Sequence, residues 1–226
     1  MRKFFPSKFL DLFDIYFETM AMKSYSQEGE DLILRRVFDG RDCGVYVDVG
    51  AHHPVRFSNS YLFYKRGWRG ICIDPSHVAI AWFKKIRPKD IALEVGVSDE
   101  ESELTYHMFD EPALNTFSES LADQRVKTTA YKRIGTRSVP VRPLKKILDE
   151  VLLPGTEIDF MTIDVEGLDY QVLASNDWGK YRPRIVLAEA LDDAAGERIR
   201  DFMAKHHYKV IARTFNTEFY EDGLKP

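Results

Sequence analysis

Asp48, Gly50, Asp74, Asp164 and Glu189 are the residues of this chain whose types and spacing could do chemistry together. Val45 to Val49 reads as a buried strand that closes on Gly50, and Ile71-Cys72-Ile73 is a second apolar run ending in Asp74. Ile158 to Ile163 ends at Asp164 in the same way, and Arg184 to Leu187 leads to Glu189. A glycine lets the backbone turn sharply and come close to a ligand. A carboxylate can accept two hydroxyl hydrogen bonds at once. An acid and a glycine turn after one strand, and an acid after the next, form the layout that grips a nucleoside across the carboxyl ends of parallel strands.

The turn itself is Gly50-Ala51-His52-His53-Pro54. It lacks the second and third glycines with which a Gly-x-Gly-x-x-Gly turn lays a pyrophosphate on a helix N-terminus. A ligand without phosphates fits better, and S-adenosylmethionine is one, with a ribose, an adenine and a cationic amino-acid tail. Asp74 is placed for the ribose hydroxyls, Asp48 suits the cationic end, and Ser98 and Asp99 close the third strand where the adenine would lie. Two other readings are an NAD(P)-dependent oxidoreductase and a non-catalytic nucleoside-binding protein that serves in assembly. The missing glycines and the lack of a suitably placed Tyr-x-x-x-Lys pair count against the first; acids at all the strand ends count against the second.

Asp164-Val165-Glu166-Gly167 falls near the switch point of such a sheet, where donor and acceptor meet. Methyl transfer to a hydroxyl needs alignment and an outlet for the proton. Asp164 and Glu189, with Glu166 nearby, could hold Mg2+, which prefers oxygen ligands; they could instead orient loops or acceptor hydroxyls, or one could be a base. His53, with His52, is the other base candidate, because imidazole titrates near neutral pH; its alternative role is to pin the turn. Arg125, Lys127, Lys132, Arg133, Arg137 and Arg142 either solvate a lid or recognise a phosphate or acid on the acceptor.

The elements that must position these residues follow from the hydrophobic pattern. Helices are expected over 25–38, with Ser26 as N-cap, over 58–66, over 76–85 behind Ser76, and over 144–151, 168–174 and 193–205. The third strand is expected over 91–97, and the closing strands over 208–213 and 218–221 form an antiparallel hairpin. The 98–137 stretch has no clean period and reads as an irregular substrate-side lid with short strands near 104–109 and 138–141. The β-α-β-α-β order implies parallel strands with right-handed crossovers.

With 226 residues, 44% hydrophobic and 30% charged, the chain is expected to form one soluble α/β domain over 1–226. A net charge of −4 argues against a nucleic-acid partner. Cys43 and Cys72 support neither a disulfide framework nor a thiolate metal site, and the cytoplasm is the expected location. No run approaches a membrane span. Within 1–24, Phe9, Leu10, Phe13, Tyr16, Phe17 and Met20 recur at helical spacing. Such a stripe packs on the domain or on a second subunit, as in a homodimer, or lies on a partner or membrane surface.

Five segments together resemble the FkbM family of S-adenosylmethionine-dependent methyltransferases: Ser26-Gln27-Glu28-Gly29-Glu30-Asp31, Val47-Asp48-Val49-Gly50-Ala51, Ser58-Asn59-Ser60, Gly67 to Pro75 and Ile163-Asp164-Val165-Glu166-Gly167. The resemblance covers residues 25–189 and implies a Rossmann-like methyltransferase fold: a mostly parallel seven-stranded sheet, helices on both faces and a C-terminal antiparallel hairpin. It also implies O-methylation of a sugar, glycan or related small molecule. By it, Gln27 and Glu30 close over the cofactor, Asp48 and Gly50 hold its amino-acid end with Ala51 and Asn59 alongside, and Asp74 takes the ribose. His52-His53-Pro54 departs from the family's commoner Ala-Asn-x-Gly turn.

Overall fold

The structure is a computed structural model and describes residues 21–224. The aromatic stripe, and with it the expected homodimer contact, lies outside the described residues.

The chain alternates strands and helices. After α1 (Glu30–Val37) come β1 (Val45–Val49), α2 (Tyr61–Lys65), β2 (Arg69–Asp74), α3 (His77–Ile86) and β3 (Ile91–Glu94). An insertion follows: β4 (Gly96–Val97), β5 (Ser102–Phe109), a 3-10 turn (Pro112–Leu114), α4 (Glu119–Thr128) and β6 (Arg133–Arg142). Then come α5 (Leu144–Val151), β7 (Phe160–Ile163), α6 (Asp169–Ala174), β8 (Ile185–Glu189), α7 (Asp193–Lys205), β9 (Tyr208–Arg213) and β10 (Thr217–Asp222).

The main sheet has seven strands in the order β3-β2-β1-β7-β8-β10-β9. β3, β2, β1, β7 and β8 run parallel, and β10 joins β8 and β9 antiparallel. The order reverses between β1 and β7, so their carboxyl ends open a crevice. Strand alternation sorts the core into two layers. Val47, Val49, Ile71 and Ile73 pack with Leu144, Leu148, Val172 and Ile199 of α5, α6 and α7. Tyr46, Cys72 and Phe160 face the other way and pack with Leu34, Phe63 and Phe83 of α1, α2 and α3. Asp48 and Asp74 share the parity of Tyr46 and Cys72, so both leave the sheet on this second face.

Three expectations about the elements are corrected. The 98–137 stretch is not irregular: β4-β6-β5 form a second, three-stranded sheet with α4 beside it. Only part of β5 and β6 is buried, so polar residues fill the open positions and blur the alternation in the sequence. The strand expected over 91–97 divides at Val95; Gly96–Val97 leaves the main sheet and pairs with Val141 and Arg142. A Cβ on Gly96 would stand 2.7 Å from Val141, so that crossing needs a glycine. Finally, Ser26 does not cap a helix at residue 25. Ser24, Ser26 and the Tyr25 N–H all donate to the fully buried Asp31, and the helix begins at Glu30, capped by Gly29 at φ 89°.

Candidate active site

Gly50 fixes the crevice floor. Its N–H and that of Ala51 both donate to the Ile73 carbonyl, at 2.9 and 3.1 Å, tying the turn to the end of β2. Gly50 has φ +81°, and a Cβ there would lie 1.7 Å from the Asp164 carbonyl oxygen. Any other residue would push the ends of β1 and β7 apart.

Asp74 is 5% exposed, and two backbone donors hold its carboxylate: His52 N–H to Oδ2 at 2.8 Å and Ser76 N–H to Oδ1 at 2.7 Å. Ser76 also caps α3 by accepting from Ala79 N–H. Burial raises the Asp74 pKa to about 6, against the pull of those two N–H groups. Each oxygen keeps a lone pair for a hydroxyl donor.

His52 and Phe57 sit at φ 50° and 55°, a conformation side chains rarely adopt, and their rings stack 6.4 Å apart. Burial lowers the His52 pKa to about 4, and its buried Nε2 has no partner. His53 Nδ1 accepts from the backbone N–H groups of Val55 and Arg56, at 3.0 and 2.9 Å.

The strand ends open into a cavity of about 460 Å3, lined among others by Gln27, Gly50, His53, Asp74, Asp164 and Glu166. At its back is an acidic group: single oxygens of Asp164, Glu166 and Glu189 lie within 4.8 Å of one another. Asp164 faces the cavity, and a hydrogen bond joins its side chain to Glu189. Burial and then the neighbouring acids raise the Asp164 pKa well above the carboxylate range and push Glu189 up to about 11. At neutral pH the pair therefore holds a proton. Burial also raises the Glu166 pKa, against the pull of Arg125 of α4, which forms an ion pair with it. The Thr116 hydroxyl donates to the Glu166 carbonyl at 2.7 Å, and Arg125 also reaches the Leu114 carbonyl at 2.6 Å. The insertion is thus latched onto the strand end, with Glu166 at φ 55°.

Other expected site residues lie elsewhere. Asp48 is buried beneath α2, hydrogen-bonded to Ser60 and close to the charge of Arg87, and it does not line the cavity. Asp74 leaves the sheet on the same face, so packing makes the difference: Ser60 and Arg87 close that face over Asp48. Asn59 donates to Thr162 at 3.0 Å across that layer, and Ala51 is buried there. Glu30 accepts from Thr214 and the Glu28 N–H, so it pins the N-terminal segment to the β9–β10 turn. Ser98 and Asp99 bond to each other beyond the break after β3; Val95, Gly96 and Val97 line the cavity instead. Glu189 reaches the cavity only through Asp164.

Arg125 was legible in the sequence only as one of several basic residues. Arg87 carried no signal at all, yet it is fully buried. It donates to Asp90, Tyr46, Ser60, Ser58 and the Pro54 carbonyl, and so braces the turn after β1 from behind.

Comparison with known proteins decides the family. The model of the Methyltransferase FkbM domain matches residues 48–210, most of the chain and all of the strand ends described above. The chain belongs to the FkbM methyltransferase family. Among solved structures, the FkbM methyltransferase from Methylobacillus flagellatus KT superposes with a TM-score of 0.54 at 13% identity, over 87% of this chain and 48% of that one. The chain thus spans about half the length of that protein, and the likeness shows the fold alone. A precorrin-6y C5,15-methyltransferase from Geobacter metallireducens GS-15 has a TM-score of 0.45 at 11% identity, over 88% of this chain and 90% of that one. A TehB-like SAM-dependent methyltransferase from Corynebacterium glutamicum ATCC 13032 Kitasato has the same score at 9% identity, over 96% and 100%. No curated protein matches the sequence. No helix among the described residues of this FkbM domain is long and apolar enough to cross a membrane.

Proposed function

We propose that this FkbM domain transfers a methyl group from S-adenosylmethionine to a hydroxyl of a small molecule, of the sugar or related-metabolite class. One observation carries the reading: a buried carboxylate, Asp74, braced by two N–H groups, stands over a phosphate-free glycine turn at the switch point. The residues present fit the cofactor. Asp74 accepts the ribose hydroxyls, the Gly50 turn and Gln27 take the amino-acid end, and Val95 to Val97 with Val78 and Trp82 enclose the adenine. The unpartnered His52 Nε2 is a further polar contact for the bound nucleoside. The cofactor, when bound, supplies an electrophilic methyl group.

The chain supplies alignment and the proton outlet. Glu189 keeps its proton, and Asp164, which lines the cavity beside it, is placed to accept the proton of the acceptor hydroxyl. Arg125 engages Glu166 in an ion pair and so keeps it out of that exchange. His53 is the weaker base, because Nδ1 already accepts two N–H groups and the neutral ring then carries its proton on Nε2. In this reading Asp164 acts without Mg2+, although one of its oxygens lies within 4.8 Å of single oxygens of Glu166 and Glu189. Turnover should persist in EDTA, and loss that Mg2+ restores would put a cation there.

A thermal-shift panel tests the reading. S-adenosylhomocysteine and S-adenosylmethionine should raise the melting temperature by several degrees at saturating concentration, and NAD and NADP should not. Stabilisation by NADP alone would favour the oxidoreductase.

A further inference from the structure

Among the described residues, the acceptor side of the cavity is apolar at its rim and is lined by no unpaired cation. Away from the adenine wall, two large hydrophobic side chains stand open at the mouth: Phe57 is 40% exposed and Ile134 67%, and both line the same cavity. Below Ile134, the second sheet and the turn after it add Met108 and Phe109. Exposed apolar side chains gathered at one mouth mark a binding surface.

The cations that could greet an anionic acceptor are all engaged. Arg56, the one arginine lining the cavity, is held bidentately by Glu111 at 3.0 and 2.9 Å. Arg125 is paired to Glu166, Arg133 to Asp123 at 3.0 Å, and Arg142 to Glu150. Arg137 donates to the Pro75 carbonyl. Lys127 and Lys132 do not line the cavity. The charge facing the acceptor is instead the Asp164–Glu189 pair. A phosphate brought there would meet carboxyl groups and give up its hydration without a partner.

Resting on the methyl-transfer reading, we infer that the acceptor is an uncharged molecule whose reacting hydroxyl lies beside an apolar face or tail. The hydroxyl enters toward Asp164, and the apolar part leaves over the rim of Phe57 and Ile134. Nucleotide-sugars and acidic glycans are excluded as acceptors, and the basic 125–142 stretch braces the lid rather than binding a phosphate.

A binding series tests this on the whole protein saturated with S-adenosylhomocysteine. Methyl, butyl and hexyl β-D-glucoside, below their micelle concentrations, are titrated calorimetrically beside UDP-glucose. Affinity should tighten about two- to fourfold per added methylene, in line with burial of each group against the rim, and UDP-glucose should bind more weakly than hexyl glucoside. Ile134→Asp should flatten the dependence on chain length. No dependence on chain length in the wild type, an unchanged slope in the variant, or tighter binding of UDP-glucose overturns the assignment. Failure of S-adenosylhomocysteine itself to bind would instead remove the methyl-transfer reading; failure of the glucoside series alone removes only the acceptor class.

Discussion

Asp74 is a buried acid and Glu189 a half-buried one, and their environments give them different behaviour. Asp74 ionises near pH 6 and faces a place for hydroxyl donors. Affinity for S-adenosylhomocysteine should therefore fall as pH is lowered from 7 to 5, as the carboxylate is lost. Asp74→Asn should weaken binding about 10- to 100-fold, the value of one or two charge-assisted hydrogen bonds, and should flatten that pH dependence; calorimetric titration reads both. Glu189 has a raised folded pKa, so its contribution to stability is fully present below its ordinary pKa and is lost as pH rises toward about 11. Asp74 and Asp169, raised to about 6 and about 7, act in the same sense at lower pH. The empty protein should gain stability on going from pH 8.5 to 5.5, by up to about 1.4 kcal/mol per pH unit for each proton held only by the folded state. Glu189→Gln should reduce that slope in urea unfolding; an equal slope would mean the proton sits elsewhere. Asp74 could be found by reading strand ends, whereas the inward turn of Asp48 could not. Parity names its face, but only the packing of Ser60 and Arg87 shows that this face is closed at Asp48 and open at Asp74.

Among the elements, the insertion between β3 and α5 departs most from its expected form. It is a folded unit: β5 and β6 pair along most of their length, and α4 packs Ala122 and Arg125 inward. Its hold on the site runs through Arg125 and Thr116. Arg125→Met should cost about 2–4 kcal/mol, somewhat less than a fully buried ion pair because both side chains keep some exposure. It should also speed proteolysis within 110–132, and Arg125→Lys should restore part of the protection; unchanged digestion would show that the lid is held by its apolar contacts alone. Helices with full amphipathic faces were legible to the residue: α5 and α7 have the expected bounds, α7 behind an Asp192 cap, and Ser76 caps α3. β5 and β6 were legible only as short strands near 104–109 and 138–141, because strands that meet solvent on one side and a cavity on the other carry no regular hydrophobic alternation.

On the scale of the whole molecule, the strand order β3-β2-β1-β7-β8-β10-β9 places one switch point between β1 and β7. The chain spends its conformational peculiarities around that point. Gly50, His52, Phe57, Glu166 and Gly167 all have positive φ on the two sides of the crevice. Arg87 braces one side from behind and the insertion covers the other. The parallel order could be read from alternating strands and helices, because each buried strand is a short apolar run and crossovers keep one hand. The enclosure of the crevice could not, since it depends on long-range pairs such as Arg125 with Glu166 and Arg56 with Glu111.

A crystal structure of the complex with S-adenosylhomocysteine tests this arrangement most directly. The ribose hydroxyls should lie within hydrogen-bonding distance of both Asp74 oxygens, with the sulfur over Gly50 and directed toward Asp164. A nucleoside bound away from Asp74, or a crevice closed by its own side chains with the ligand seated elsewhere, would contradict it.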